Sequence, residues 1–380
     1  MKRNYFILLS LFFIVNLSFG QKAAPVKADP NFFPIGVWVQ GGRNAAAYKS
    51  NGVNMVVGAE MNDSSLKQYK EAGMKIIGHM SEFGLKHLDD PTIYGWMHGD
   101  EPDNAQSKRN GEKGYDPCRD PQIIINSYND IKKKDPSRPV YLNLGQGVAY
   151  INYNGRGECK GDTNKYRVAT NGYLKGCDLA SFDIYPVNNT DKETSGNLWY
   201  VAKGIDNLKS WSQGKPAWCW IETTKIVDKN TRKPTTGEVK SEVWMALIHG
   251  AQGVGYFCHT WVPTPVEPGL LQDKEMIAAV KLINEGITAL APVLNSATTK
   301  GYASVSSSNT AVPIDIMTKN QAKSNYLFAV AMRPGDTKAS FEVKKGKEAE
   351  VIGENRTIPI KKGKFSDDFS YYSVHLYKIK

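Results

Sequence analysis

The stretch Trp96-Met97-His98-Gly99-Asp100-Glu101-Pro102 sets two adjacent acids directly behind an apolar run, Thr92 to Met97. That run has the near-continuous apolar texture of a strand buried on both faces. Pro102, which has no N–H to donate, ends any ladder there. A carboxyl among aromatic groups at a strand end loses hydration, and its pKa rises until it can hold a proton near neutrality. Asp-Glu-Pro alone also fits a plain strand-to-helix turn, because Asp and Pro start helices. A second acid, Glu222, closes the run Trp218-Cys219-Trp220-Ile221. Two carboxyls of unequal proton affinity suit the cleavage of glycosidic bonds. One donates a proton to the leaving oxygen, and the other attacks the anomeric carbon or activates water. Aromatic neighbours fit the same chemistry, since the C–H face of a sugar stacks on indole or phenol.

The elements that must position these acids alternate between two textures. Short runs rich in Val, Ile and aromatics occur at 34–39, 53–58, 75–80, 92–99, 139–144, 179–187, 216–222 and 253–261. Helix-compatible segments lie between them at 43–50, 64–72, 121–134, 164–174, 198–211 and 240–251, and a last one follows at 274–290. Only the segment between the third and fourth runs is too short for a full helix. Eight buried strands alternating with helices over residues 30–295 predict a closed (β/α)8 TIM barrel. A doubly wound sheet is disfavoured because no GxGxxG follows any run. From 299 to 380 the pattern changes to alternation broken by turns such as Pro334-Gly335-Asp336 and Lys362-Gly363-Lys364. This predicts a small C-terminal antiparallel β-domain, sandwich-like.

Residues 1–20 read as an export signal: Lys2 and Arg3, an apolar stretch from Ile7 to Val15, then Ser18-Phe19-Gly20 before Gln21. The apolar stretch is short for a membrane span, so the expectation is a secreted or periplasmic protein with no stable membrane insertion after cleavage. The formal charge is +10, and residues 300–380 hold 14 basic against 8 acidic residues. No nucleic-acid motif accompanies that excess, so nucleic acid is not an expected partner and a solvated lysine-rich face is the favoured reading. Of five cysteines, Cys118, Cys159 and Cys177 lie in loop-like or helix-end sequence and admit one disulfide whose pairing their spacing does not name. Cys219 and Cys258 sit in apolar runs as buried thiols.

In a (β/α)8 barrel the active site forms at the C-terminal ends of the strands. Here those ends carry Trp38, Glu60, His79, Trp96, Asp100, Glu101, Tyr185, Glu222, His259 and Trp261. The set resembles clan A retaining glycoside hydrolases, whose catalytic glutamates end strands four and seven. The fourth strand of that family ends in Asn-Glu-Pro, and here Asp100 replaces the Asn. The resemblance, over roughly residues 33–295, implies Glu101 as acid/base and Glu222 as nucleophile in a double displacement. It further implies that Tyr185 hydrogen-bonds the nucleophile and that Trp261 floors a sugar subsite. Trp38, Glu60, His79, Trp96, Asp100 and His259 complete the expected substrate contacts. The expected partner is a poly- or oligosaccharide, β-linked by the resemblance alone, and neither cofactor nor metal is required. Two other readings stay open: a non-catalytic carbohydrate-binding barrel, and a metal-dependent hydrolase with His79, His98, Asp100 and His259 as ligands. Glu222 also admits a structural role, paired with Lys225. Asp183 shares strand parity with Tyr185 and reads as an interior hydrogen-bonding acid.

Overall fold

A computed structural model describes residues 29–108, 112–227 and 231–380, so the expected export signal lies outside the described residues. Eight parallel strands close into a barrel in sequence order. They are β1 (Ile35–Trp38), β2 (Met55–Val57), β3 (Lys75–His79), β4 (Ile93–Met97), β5 (Val140–Leu144), β6 (Leu179–Asp183), β7 (Ala217–Glu222) and β8 (Gly253–Phe257). Closure is made by β8 pairing with β1, Val254 opposite Ile35. The helices are α1 (Ala45–Ser50), α2 (Asp63–Glu71), α3 (Glu82–Leu85), α4 (Pro121–Lys134), α5 (Thr163–Tyr166), α6 (Tyr200–Trp211), α7 (Thr236–Ile248), α8 (Gly269–Gln272), α9 (Lys274–Ala289) and α10 (Ala291–Leu294).

Local chemistry sets several helix starts. Asp120 accepts from the Gln122 N–H with Pro121 behind it, opening α4. Thr235 and Glu238 form a reciprocal capping box that starts α7 four residues before the predicted Lys240. The predicted helix at 164–174 breaks after α5 into 3-10 turns, 168–170 and 173–176. Asn171 adopts a left-handed φ of 57° there, which no α-helix continues.

The barrel interior is aromatic. Trp38, Tyr141, Trp218 and Trp220 pack with Met55, Val57, Ile77 and Met97. Two inward indoles on one strand fit because the neighbouring strands have no side chain beneath them. A Cβ at Gly253 would lie 2.5 Å from Trp218, and one at Gly255 would overlap the Trp220 ring. The Trp220 Nε1 donates to the Tyr141 hydroxyl at 2.8 Å, so the buried polar group is satisfied.

The C-terminal domain is a two-sheet sandwich. Its strands are β9 (Ala303–Ser307), β10 (Ile314–Gln321), β11 (Ser324–Ala331), β12 (Thr337–Val343), β13 (Glu348–Val351), β14 (Arg356–Pro359), β15 (Lys364–Phe369) and β16 (Val374–Ile379). One sheet runs β10-β11-β16-β13-β14 and the other β15-β12-β9. Phe341, Phe365 and Tyr377 pack between them. Helix α7 is buried between barrel and sandwich: Trp244 meets Phe328 with ring centres 5.3 Å apart, and the Ser241 hydroxyl donates to the Tyr372 carbonyl. That double burial explains why Val239 to Ile248 carries apolar groups on nearly every face. Among the described residues no helix is long and apolar enough to cross a membrane.

Candidate active site

Past β4 the chain turns sharply at Glu101, whose φ of 41° lies in the left-handed region. Strain of this kind in a non-glycine residue persists where surrounding contacts fix it. Here the Glu101 N–H donates to the Asn143 carbonyl at 3.2 Å, and the Asn104 N–H closes the turn on the Glu101 carbonyl at 3.0 Å. Glu101 Oε2 accepts from Arg156 Nη2 and from Asn104 Nδ2, both at 2.8 Å. Its other oxygen passes so close to Gly145 that a Cβ there would sit 3.1 Å away. Arg156 is delivered by the loop after β5. Cys159, three residues on, is joined to Cys118 by a disulfide that ties this loop to the one after β4.

Three more acids converge on Glu101. Asn143, on β5, donates to Asp100 Oδ1 at 2.9 Å and to Asp183 Oδ2 at 3.0 Å, while its own oxygen accepts from Ser181 at 2.6 Å. Asp183, the last residue of β6, shares a hydrogen bond with Glu101. Asp103 accepts from the Gly145 N–H and the Tyr166 hydroxyl, each at 2.9 Å.

Four carboxyls around one guanidinium cannot all be ionised. Desolvation and the Glu101 charge push Asp100 up to about 7. Burial lifts Asp103 to about 6 against the hydrogen bonds it accepts. Burial and the charges of Glu101 and Asp100 carry Asp183 well above the carboxylate range. Burial raises Glu101 too, but the bond from Asp183 and the charge of Arg156 oppose it. Of the two, Asp183 is therefore held further above the carboxylate range, since Glu101 alone has the Arg156 guanidinium on it.

The structure does not bring Glu222 into this cluster. Its carboxyl is fully buried at the end of β7. One oxygen accepts from the Val187 N–H at 2.6 Å, and the other from the Asn188 N–H at 2.8 Å and Asn188 Nδ2 at 2.5 Å. Its acidic neighbour is Glu242 on α7, behind the sheet. Trp96 is likewise withdrawn: fully buried in the layer between strands and helices, it donates to Asp135 at 2.8 Å. Trp38 faces inward, edge-on to Trp220 at 4.8 Å. His98 Nε2 donates to the Gly176 carbonyl at 2.8 Å and its Nδ1 lies 3.3 Å from Ser127 Oγ, away from the mouth. His79 is exposed at the end of β3, its Nδ1 lying 3.3 Å from the Met97 carbonyl, whereas Asp100, on an exposed stretch of chain, turns its carboxyl inward to Asn143. Among the described residues no group of three or more His, Cys, Asp or Glu side chains is placed to hold a metal ion.

Glu60, His259 and Trp261 line a cavity of about 330 Å³ on the β1–β2–β8 side of the mouth. An aromatic series links it to the carboxyls. Tyr185, two residues past Asp183, lies 5.3 Å from Phe257; Phe257 lies 5.3 Å from His259; and His259 stacks on Trp261 at 5.7 Å and 11°. Trp261 is 48% exposed, and its ring is presented to solvent. The aromatic series thus runs from the β6 end, beside the carboxyls, to the cavity. Sequence reasoning missed Asp103, Asn104, Asn143 and Arg156. Only Asp103 carried a signal, as the third acid of Asp-Glu-Pro-Asp.

No protein-family model matches the chain, and no curated protein matches it. Solved structures do. AmyP in complex with maltose shares 9% identity over 92% of this chain and 97% of that one, with a TM-score of 0.58. A catalytic mutant of the GH42 β-galactosidase Gan42B from G. stearothermophilus shares 8% over 92% and 98%, with a TM-score of 0.56. The α-amylase of Geobacillus thermoleovorans in complex with acarbose shares 10% over 92% and 98%, with a TM-score of 0.51. At such identities the likeness is one of fold: this chain has the closed parallel barrel and β-domain architecture on which an α-amylase and a β-galactosidase are built.

Proposed function

We propose that the protein is a glycoside hydrolase acting on a poly- or oligosaccharide, with Glu101 as a reacting carboxyl and Asp183 as the acid that positions it. The observation that carries this reading is the convergence of acids at the ends of β4 and β6, where Asn143 holds Asp100 and Asp183 and Arg156 holds Glu101. Asp183, lifted well above the carboxylate range by burial and by the charges of Glu101 and Asp100, is too close to Glu101 to flank a glycosidic bond with it and instead positions the Glu101 carboxyl. Glu101, held by Arg156 and Asn104, is the group able to attack or to activate water. The exposed Trp261 and the aromatic series leading to it offer stacking for further sugar units, which favours a substrate of several residues. Neighbours in complex with maltose and acarbose support a carbohydrate ligand. Glu222, expected as nucleophile, is assigned here to holding the loop after β6, because its carboxyl accepts its hydrogen bonds from Val187 and Asn188 of that loop. Export of the chain is part of the proposal, and the Cys118–Cys159 bridge supports an oxidising compartment.

The test is release of reducing ends from a panel of α- and β-linked oligosaccharides. Glu101→Gln should lose about 10²–10⁴-fold in kcat, the usual worth of acid–base catalysis. Glu222→Gln should keep substantially more activity than Glu101→Gln. Collapse of Glu222→Gln alone would return the nucleophile to β7. Sugar binding without turnover by the intact protein would favour a carbohydrate-binding barrel.

A further inference from the structure

We infer that one edge of the C-terminal sandwich is a binding surface for a polyanionic polysaccharide, one bearing carboxylate or sulfate groups along its chain. The inference rests on the glycan-active reading above. Its observation is separate: the lysine excess of the tail segment is gathered at one place. Three distant pieces of chain meet there. The 344–347 turn after β12 donates from the Lys347 N–H to the Lys380 carbonyl, and its Lys347 carbonyl accepts from the Ile360 N–H at 2.8 Å. The 361–363 turn before β15 is bound through the Val343 N–H to the Gly363 carbonyl at 2.8 Å. The end of β16 joins through the Lys380 N–H to the Glu348 carbonyl at 2.9 Å.

Lys344, Lys345, Lys347, Lys361 and Lys362 are all exposed on this edge, and among the described residues none makes an ion pair. The acids nearby are already engaged: Glu342 by Lys364, and Glu348 and Glu350 by Lys380. On another face of the same domain, by contrast, Arg356 is held between Glu354 and Asp367. Five uncompensated ammonium groups on two adjoining turns raise the local concentration of a multivalent anion.

The composition of the edge selects the kind of anion. Its aromatic residues Tyr302, Phe341, Phe365 and Tyr377 are buried, so it offers no stacking platform for nucleic-acid bases. No large exposed apolar side chain lies on it, so it lacks the wedge with which basic surfaces enter a bilayer. Point charges spaced along two turns match charges spaced along a glycan. The sandwich would then hold the catalytic barrel near an acidic polymer.

Affinity electrophoresis and co-sedimentation of the full-length chain with polygalacturonate, dextran sulfate and neutral dextran test this directly. Retention is expected on both anionic polymers, not on dextran, at about 0.05 M salt and not at about 0.5 M. The combined variant Lys344→Gln, Lys345→Gln, Lys347→Gln, Lys361→Gln and Lys362→Gln should bind at least ~10-fold more weakly. A control with Lys67, Lys86, Lys134, Lys274 and Lys281 changed to Gln on the barrel helices should bind like the parent. Equal binding by the edge variant, equal loss in the control, or tighter binding to phosphatidylglycerol vesicles or single-stranded DNA would overturn the proposal. Cleavage of an uncharged oligosaccharide should be unchanged in the edge variant, so failure of this surface and failure of the catalytic reading are told apart.

Discussion

A carboxyl that accepts from a guanidinium and from a neighbouring acid is pulled toward ionisation on both sides, and Glu101 is held so. Arg156 supplies the only positive charge within hydrogen-bonding distance of Glu101 among the described residues. Replacing it by Gln leaves a hydrogen-bond donor but removes the charge, and the proton affinity of Glu101 rises. The acid limb of kcat/KM against pH should therefore move to higher pH, by about one unit or more. A residue that only tethered the loop would lower the rate and leave the limb in place. Reducing the Cys118–Cys159 bridge should reproduce part of the Arg156→Gln effect, since the bridge fixes the loop that delivers the guanidinium.

At the scale of elements, Glu222 and Glu242 join β7, α7 and the loop after β6. Burial raises Glu222 to about 7 and raises Glu242 further, the Glu222 charge adding to the effect. Glu242 reaches no hydrogen-bond donor, so a proton between the two acids is what satisfies them. For acids whose folded pKa exceeds the ordinary value, the folded state binds the extra proton. The stability they contribute is complete below about pH 4.5 and is lost as pH rises through about 7. Glu242→Gln should melt above the parent at pH 8, with the gap closing at pH 5, as read by thermal melts at both values. A gap of the same size at both would mean that no proton is shared. These acids also mark how far the sequence could be read. The barrel strands were legible because they are buried on both faces, and α4 matched its predicted bounds because Asp120 and Pro121 fix its start. Strands β10 and β15 are not legible in the sequence, since Lys, Asn and Asp interrupt their alternation, and β13 alternates over only four residues. Strand parity marked Asp183 as an interior acid, but its partner Glu101 is aimed by a left-handed turn that parity does not encode. The direction of Glu222 is set by the N–H groups of Val187 and Asn188, and backbone donors leave no mark on residue type.

For the whole molecule, one charged contact spans the junction of barrel and sandwich. His249, just past α7, lies between Asp206 of α6 at 2.9 Å and Asp315 of β10 at 3.1 Å, one acid from each domain. Burial opposes its charge, but the two hydrogen bonds and two carboxylates outweigh burial and raise it to about 9. A histidine with a raised folded pKa gives stability that is complete below its ordinary value of 6.5 and lost as pH rises through about 9. The apolar contacts of α7, such as Trp244 on Phe328, do not titrate and keep the domains packed at any pH. His249→Gln should therefore lower the melting temperature by roughly 2–4 °C at pH 6, and the difference from the parent should shrink toward pH 10. Lys209 donates to the His249 carbonyl and not to its ring, so this pH dependence belongs to the imidazole. Asp315→Asn removes the acid on the sandwich side alone. It should give a smaller loss at pH 6 with the same trend, because Asp206 still holds the ring charge. A loss at pH 10 as large as at pH 6 would mean that His249 acts through packing alone, and the domains would then be joined without any charge between them.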